Sequence, residues 1–188
     1  MKKPFLYILI PFLLLANVGF SQTEDNAAIL KVLLSKYYAN EKVIKPGRLQ
    51  LLSFYCNQSP NNEEVYEVIN SSETLQKHAA EIKKQIKPSL QRDWSGEFNL
   101  LFSTENQYLK SKVNDCLSLE AFQEYSKRLN LNNQRLMIVG IPMFFGKNQS
   151  LVKVTFYRNI EHNSGSYFLL QKENGKWIIK ETLNAWST

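Results

Sequence analysis

The stretch SYFLLQKENGKWII, residues 166–179, carries the clearest structural signal in this chain. In it, two apolar runs flank the dipeptide Asn174-Gly175. A type I′ turn needs a positive φ at both of its central residues, and Asn-Gly accepts that conformation readily between two strands. The stretch therefore predicts an antiparallel β-hairpin.

Around this hairpin, the last third of the chain alternates between apolar and polar residues with a period of two. That period is typical of strands, and short turn-rich links separate the runs. Four strands are predicted: residues 135–145, 151–161, 166–172 and 176–186. Together they predict a C-terminal antiparallel β-meander.

The first two thirds of the chain show a helical period instead. Three segments have an apolar face at helical spacing: residues 25–39, 73–87 and 119–129. Ser118 is the expected N-cap of the last of these helices. Two further segments predict strands, namely residues 48–56 and 97–103, whereas residues 63–70 and 108–113 fit either a helix or a strand. Helices first and a meander last predict an α+β fold, with N-terminal helices packed on an antiparallel sheet.

The N-terminus has the three parts of an export signal. Two lysines precede an apolar run at residues 5–18, which ends in small residues up to Ser21. We predict a signal peptide at residues 1–21, cleavage between Ser21 and Gln22, and a single soluble domain at residues 22–188. The alternative is an uncleaved anchor, but a spanning helix needs about 20 apolar residues and this run is shorter. We therefore expect a periplasmic or secreted protein without a stable membrane span after cleavage.

Charge and cysteine content narrow the expectations further. The chain has 188 residues and a formal net charge of +6, which becomes +4 when the two leader lysines are lost. Such a mild basic excess favours solubility and predicts no nucleic-acid partner. Cys56 and Cys116 are sixty positions apart. They fit either a disulfide, as expected outside the cytoplasm, or two buried free thiols.

Few residues qualify as candidates for a site. Asp93, Trp94 and Glu97 form a turn in which the indole is either a candidate binding platform flanked by carboxylates or a partly buried anchor at the start of the next strand. His162 lies beside Glu161 in a predicted turn and is the fourth candidate. No metal-ligand spacing, nucleophile elbow or phosphate-binding loop occurs in the sequence. We therefore predict a binding site at these four residues, no catalytic residue, no metal and no cofactor.

The Asn-Gly-Lys-Trp-Ile pattern within residues 166–179 resembles the closing hairpin of small exported bacterial proteins. It is also similar to the end of domains with the nuclear-transport-factor-two-like cone fold. In that fold a curved sheet wraps around N-terminal helices, so the resemblance implies a curved sheet here. The superfamily includes isomerases, dehydratases and plain binding modules.

The leading hypothesis is an exported, non-catalytic binding module for an unknown protein or small-molecule ligand. One alternative is a cone-fold enzyme with a small-molecule pocket. It requires Asp93, Glu97 or His162 to point into a shared cavity. Another is an envelope immunity or inhibitor protein, which an exposed apolar or charged patch would favour.

Overall fold

The computed structural model describes residues 6–44, 51–86, 92–113, 116–129 and 134–188. Side chains are described from residue 22 onward within these ranges, except that of residue 129. The elements in these ranges are α1 (Leu6–Tyr38), β1 (Leu52–Phe54), α2 (Val65–Asn70), α3 (Glu73–Lys77), α4 (Ala79–Lys83), α5 (Ser95–Phe102), α6 (Gln107–Val113), α7 (Leu119–Leu129), β2 (Arg135–Val139), β3 (Met143–Phe145), β4 (Gln149–Tyr157), β5 (Asn163–Glu173) and β6 (Lys176–Ser187). In the part of the chain so described, no helix is both long and apolar enough to cross a membrane.

The strands form one sheet in the order β1-β2-β4-β5-β6, and β3 pairs with β4 beside β2. The consecutive strands β4, β5 and β6 pair antiparallel, which confirms the predicted meander and the α+β class. β1 and β2 run parallel, so the sheet is mixed rather than wholly antiparallel. The predicted strand at residues 135–145 is two strands, because Gly140, Ile141 and Pro142 separate β2 from β3. Both pair with β4, at opposite ends of that strand.

The hairpin between β5 and β6 turns where the sequence predicts. Asn174 and Gly175 have φ values of 49° and 78°, both in the left-handed region. Glu173 and Lys176 are directly paired across the turn. The positive φ angles agree with the type I′ turn that the dipeptide predicts.

One face of the sheet, called the α1 face, is covered mainly by α1. Val152 and Val154 of β4 and Phe168 and Leu170 of β5 point to this side, in one cluster with the buried residues of α1. These α1 residues are Ile29, Leu30, Leu33, Leu34 and Tyr38. Parts of α5 and α6 join the same cluster, which is the main core of the protein.

The opposite face, called the second face, is covered by shorter helices. Because side chains alternate along a strand, the neighbours Leu151 and Leu169 point to this side. They pack with the buried residues of α2, α3 and α4, which are Val65, Val68, Ile69, Leu75 and Ile82. α7 covers another part of the face, where Phe122 makes an edge-to-face contact with Tyr157.

The strand predicted at residues 97–103 is wrong, because this segment is helix α5. The alternation of Phe98, Leu100 and Phe102 suggests a strand. In the helix, however, Phe98, Leu101 and Phe102 have the i, i+3, i+4 spacing of one face and join the main core. Leu100 is 48% exposed. Tertiary packing against α1 has overridden the local pattern.

The other helices differ from the predictions mainly at their ends. α7 has the predicted bounds, and the hydroxyl of Ser118 accepts the N–H of Ala121 at 3.1 Å as its N-cap. The helix predicted at residues 73–87 is broken into α3 and α4 at His78, and residue 87 lies outside the described part. The first helix begins at Leu6 rather than at residue 25, since the apolar leader continues the same helix.

The remaining segments are also settled. Residues 63–70 contain helix α2, and residues 108–113 belong to helix α6. The strand predicted at residues 48–56 is the three-residue β1, and residues 48–50 lie outside the described part.

Candidate functional site

The cluster predicted around Trp94 is not an exposed binding platform. Trp94 is 0% exposed and belongs to the main core. Glu97 is also buried, and its carboxyl oxygen accepts a hydrogen bond from the Asn26 amide at 3.2 Å. Both residues join α5 to the core that α1 forms, so their role in the fold is structural.

Asp93, the third residue of this cluster, lies at the surface. Its carboxylate accepts the backbone N–H of Ser95 at 3.0 Å, at the start of α5. That hydrogen bond lowers the pKa of Asp93. The sequence therefore identifies an ordered turn here, but the turn starts a helix.

His162 lies in the exposed loop between β4 and β5. Its Nδ1 is 3.0 Å from Oδ1 of Asn159, and the same oxygen accepts the backbone N–H groups of Glu161 and His162. The Asn159 side chain therefore stabilises the loop through hydrogen bonds to other residues of the loop. The loop, although not the imidazole itself, forms one wall of a groove described below.

His78 lies between α3 and α4 and connects this part of the chain to the sheet. Its Nδ1 is 3.1 Å from Glu81, whose second oxygen accepts the backbone N–H of Gly146 at 2.8 Å. The hydrogen bonds from His78 and then Gly146 lower the pKa of Glu81. The His78 ring also packs on Phe145. This histidine therefore joins a helix to a strand turn.

Cys56 and Cys116 form a disulfide with Cα atoms 4.9 Å apart. The bond connects the end of β1 with the segment between α6 and α7. Among the residues with described side chains, no group of three or more His, Cys, Asp or Glu residues is placed to hold a metal ion.

An open cavity, called the α7 groove, lies between α7 and the β4–β5 loop. It encloses about 720 Å³. Its lining residues are Phe122, Gln123, Ser126, Lys127, Gln134, Tyr157, Arg158, Asn159, Ile160 and Glu161. The groove thus combines an apolar floor, several amides and a mixed set of charges.

Gln134 is the distinctive residue of the α7 groove. It is 2% exposed, and its Oε1 accepts a hydrogen bond from Ser126 at 2.9 Å. Its Nε2 has no hydrogen-bond partner in the described part of the chain. An unpaired buried donor costs about 1–3 kcal/mol. A ligand with an acceptor oxygen would remove that cost.

A second cavity, called the Trp186 groove, lies between α2 and the end of β6. It encloses about 510 Å³ and is lined by Glu64, Glu67, Val68, Tyr167, Asn184, Ala185 and Trp186. Trp186 is 37% exposed, and Asn184 has a φ of 43°. Carboxylates and an accessible indole therefore share this groove.

Tyr167 and Lys153 form the polar floor beside the Trp186 groove. The Lys153 ammonium pairs with Glu64. Tyr167 is 2% exposed, and its hydroxyl makes no well-formed hydrogen bond within the described residues. Burial, followed by the negative charge of Glu64, raises the pKa of Tyr167. The hydroxyl stays protonated beside the Glu64 carboxylate.

Other buried polar atoms also lack partners within the described ranges, among them Nε1 of Trp94 and the hydroxyl of Tyr38. Both belong to the main core and line neither groove. Gln134 and Tyr167 differ because each lines an open groove. The two grooves are therefore the best candidates for a site.

Sequence reasoning did not identify Gln134, Tyr167 or Trp186. Each lies in or beside a predicted strand, where polar and aromatic side chains are ordinary. The one available signal is the strand period, which places residues of equal parity on the same face. That period does not reveal which parts of a face the helices leave open.

No protein-family model matches the chain, and comparisons with curated proteins and with solved structures found no match. Its function is therefore inferred from its own contacts.

Proposed function

We propose that this protein is an exported, non-catalytic binding module whose ligand lies in the α7 groove. The observation that carries the proposal is Gln134, a buried amide with an unpaired Nε2 at the wall of an open groove. Buried polar groups in folded proteins are nearly always paired. A bound ligand supplies the missing acceptor.

The charges of the groove indicate what kind of ligand fits. Lys127 and Arg158 are its basic residues, and Glu161 is its acidic one. Phe122 is 1% exposed and packs beneath the groove against Tyr157, whose hydroxyl accepts a hydrogen bond from Gln123 at 3.1 Å. A carboxylate attached to an apolar or aromatic body fits the two basic residues and the aromatic side chains, which outnumber the single acidic residue.

Binding is favoured over catalysis by where the candidate acids and bases lie. Glu97 is buried against Asn26, Asp93 accepts the backbone N–H of Ser95 before α5, and His162 is held by Asn159 in a loop. A catalytic pair needs its members within hydrogen-bond reach of one substrate. None of the three lines either groove.

The binding site can be tested with phenylacetate as the probe and phenylacetamide as its neutral counterpart. We expect NMR shifts at α7 and the β4–β5 loop with phenylacetate, and affinity at least about fivefold weaker for the amide. Gln134→Leu and Arg158→Ala should each weaken phenylacetate binding.

Lys147→Ala is the matched control for Arg158→Ala. Lys147 is exposed just before β4, whereas Arg158 follows the end of that strand, so the length of β4, about 26 Å, lies between them. The control should bind as the wild type does. Phenylacetate shifts elsewhere on the protein, or equal affinity in Gln134→Leu, would refute the site.

Export is tested by the N-terminus of the protein recovered from its own cells. We expect mass spectrometry of envelope or culture-medium fractions to find a chain that begins at Gln22. An intact chain in the cell interior that still carries Met1 would contradict export.

A further inference from the structure

The two grooves lie on the same face of the sheet, on either side of one row of residues. Strand register places Ile138 opposite Thr155, Thr155 opposite Gly165, and Gly165 opposite Trp186. This central row crosses four strands on the second face. Ile138 and Thr155 are only half-buried, so the helices do not fully cover the row.

The strand period connects the row to both grooves. Along β4, Tyr157 lies two residues beyond Thr155 and lines the α7 groove. Lys153 lies two residues before Thr155 and is paired with Tyr167, which lines the Trp186 groove. Tyr157 and Lys153 are therefore about 13 Å apart on one face. An extended ligand can reach both grooves only by crossing the central row.

Trp186 lies at the crossing point. A Cβ atom added to Gly165 would stand 2.8 Å from Cζ2 of the indole, which is too close for a real contact. Gly165 therefore allows the indole to lie against the strand backbone. The indole remains partly exposed, so an aromatic surface is available between the grooves.

The two ends have opposite charge. Lys127 and Arg158 outnumber Glu161 in the α7 groove. In the Trp186 groove, Glu64 is neutralised by Lys153, whereas Glu67 makes no ion pair among the residues that the structure describes. An acidic group suits the first end and a basic group suits the second.

We propose that the two grooves form one extended site for a peptide segment in a strand-like conformation. An acidic side chain of the peptide lies in the α7 groove, a basic side chain lies near Glu67, and the backbone between them crosses Trp186. This inference rests on the proposed function and specifies its ligand. At about 3.3 Å per residue, the two charges should be roughly four to six residues apart.

Capped peptides with one Asp and one Lys test this spacing. Binding is measured by NMR titration for peptides with one, three, five or nine serines between the charges. We expect the peptides with three or five serines to bind about fivefold more tightly than those with one or nine. They should exceed by the same factor the peptides of equal length in which Lys is replaced by Gln or Asp by Asn.

Substitutions in the Trp186 groove test where the basic side chain of the peptide binds. Glu67→Gln and Trp186→Ala should abolish the gain from the peptide lysine and leave phenylacetate binding unchanged. Glu105→Gln is the matched control, since Glu105 is exposed in the α5–α6 loop and lines neither groove.

The outcomes separate this inference from the proposed function. If phenylacetate binds at Gln134 but the peptide lysine adds nothing at any spacing, the extended site is refuted and the α7 groove stands. If neither phenylacetate nor any peptide binds, both proposals fail. A peptide that depends on Glu67 but not on Gln134 also refutes a single extended site.

Discussion

The two faces of the sheet are built from the same strands but are covered in different ways. On the α1 face, one long helix packs across the strands, and α5 and α6 complete a closed core. On the second face, three short helices and α7 cover separate parts. Both grooves lie on the second face. One continuous helix packed on a sheet closes a core, whereas several short helices leave open grooves between them.

Side-chain chemistry follows this difference along a single strand. In β4, Val152 and Val154 face α1, whereas Lys153, Thr155 and Tyr157 face the second side. A fully covered position favours a side chain without polar atoms, because a polar atom would need an internal partner. From Val152 to Tyr157 the polar side chains of β4 therefore lie on the incompletely covered face, whereas Ser150, earlier in the strand, is a buried polar residue on the α1 face.

The largest expected effect is loss of the disulfide, which reinforces the closed side. Cys116 packs against the main core, and the bond closes a loop of 60 residues. Replacing both cysteines by serine should lower the free energy of unfolding by about 4 kcal/mol in the chain-entropy model. Urea unfolding measures this loss. Reduction of the wild type should reproduce it, and reduction without any loss would contradict the prediction.

Two core substitutions, one on each face of the sheet, should lower the free energy of unfolding by different, smaller amounts. Leu33→Ala leaves a closed cavity in the main core and should cost about 3 kcal/mol. Phe122→Ala also removes a buried side chain, but the space it leaves joins the open α7 groove and fills with water instead of remaining an empty cavity. It should cost about 2 kcal/mol or less, because the cavity contribution is reduced. Urea unfolding of both variants checks the order, and a larger loss for Phe122→Ala would contradict the comparison.

The contact between Trp186 and Gly165 should have a moderate effect. Gly165→Ala forces the indole to move and should cost about 1–2 kcal/mol, as overpacking does. Adding Trp186→Ala should restore much of that loss in a double-mutant cycle. Gly96→Ala is the control, since an added Cβ there meets no atom within 4 Å. Additive effects at 165 and 186 would show that the two residues do not touch.

The smallest effect depends on pH. Burial alone would raise the pKa of Glu64, but the hydrogen bond and charge of Lys153 outweigh it and lower that pKa. The ion pair therefore stabilises the fold above the unfolded pKa of about 4.3, and this contribution is lost as pH falls through the lowered folded pKa. Since half of the Glu64 side chain is exposed, it amounts to less than about 1 kcal/mol.

Urea unfolding of the wild type and Glu64→Gln at pH 7 and pH 3 tests this sign. The variant should be less stable at pH 7, and the two proteins should converge at pH 3. Glu105→Gln should match the wild type at both values. A difference that grows at low pH would contradict the ion pair.

Local chemistry was sufficient to predict several elements of the fold. Asn174-Gly175 predicts the hairpin, because few other dipeptides accept two positive φ values. Ser118 and the apolar spacing after it predict α7 with its observed bounds. The meander follows from a period of two that a helix cannot satisfy. In each case the deciding interaction lies within a few residues along the chain.

Only the tertiary structure decided the remaining features. Phe98, Leu100 and Phe102 alternate as in a strand, yet packing against α1 makes their segment a helix. Trp94 resembles an exposed platform in sequence and is buried, whereas Gln134 and Trp186 gain their significance from what lies beside them. By itself, the sequence determined the elements with local signals and the α+β class. The burial of a side chain and the position of an open groove depend on contacts between distant segments. The places where a ligand can bind are therefore visible only in the folded protein.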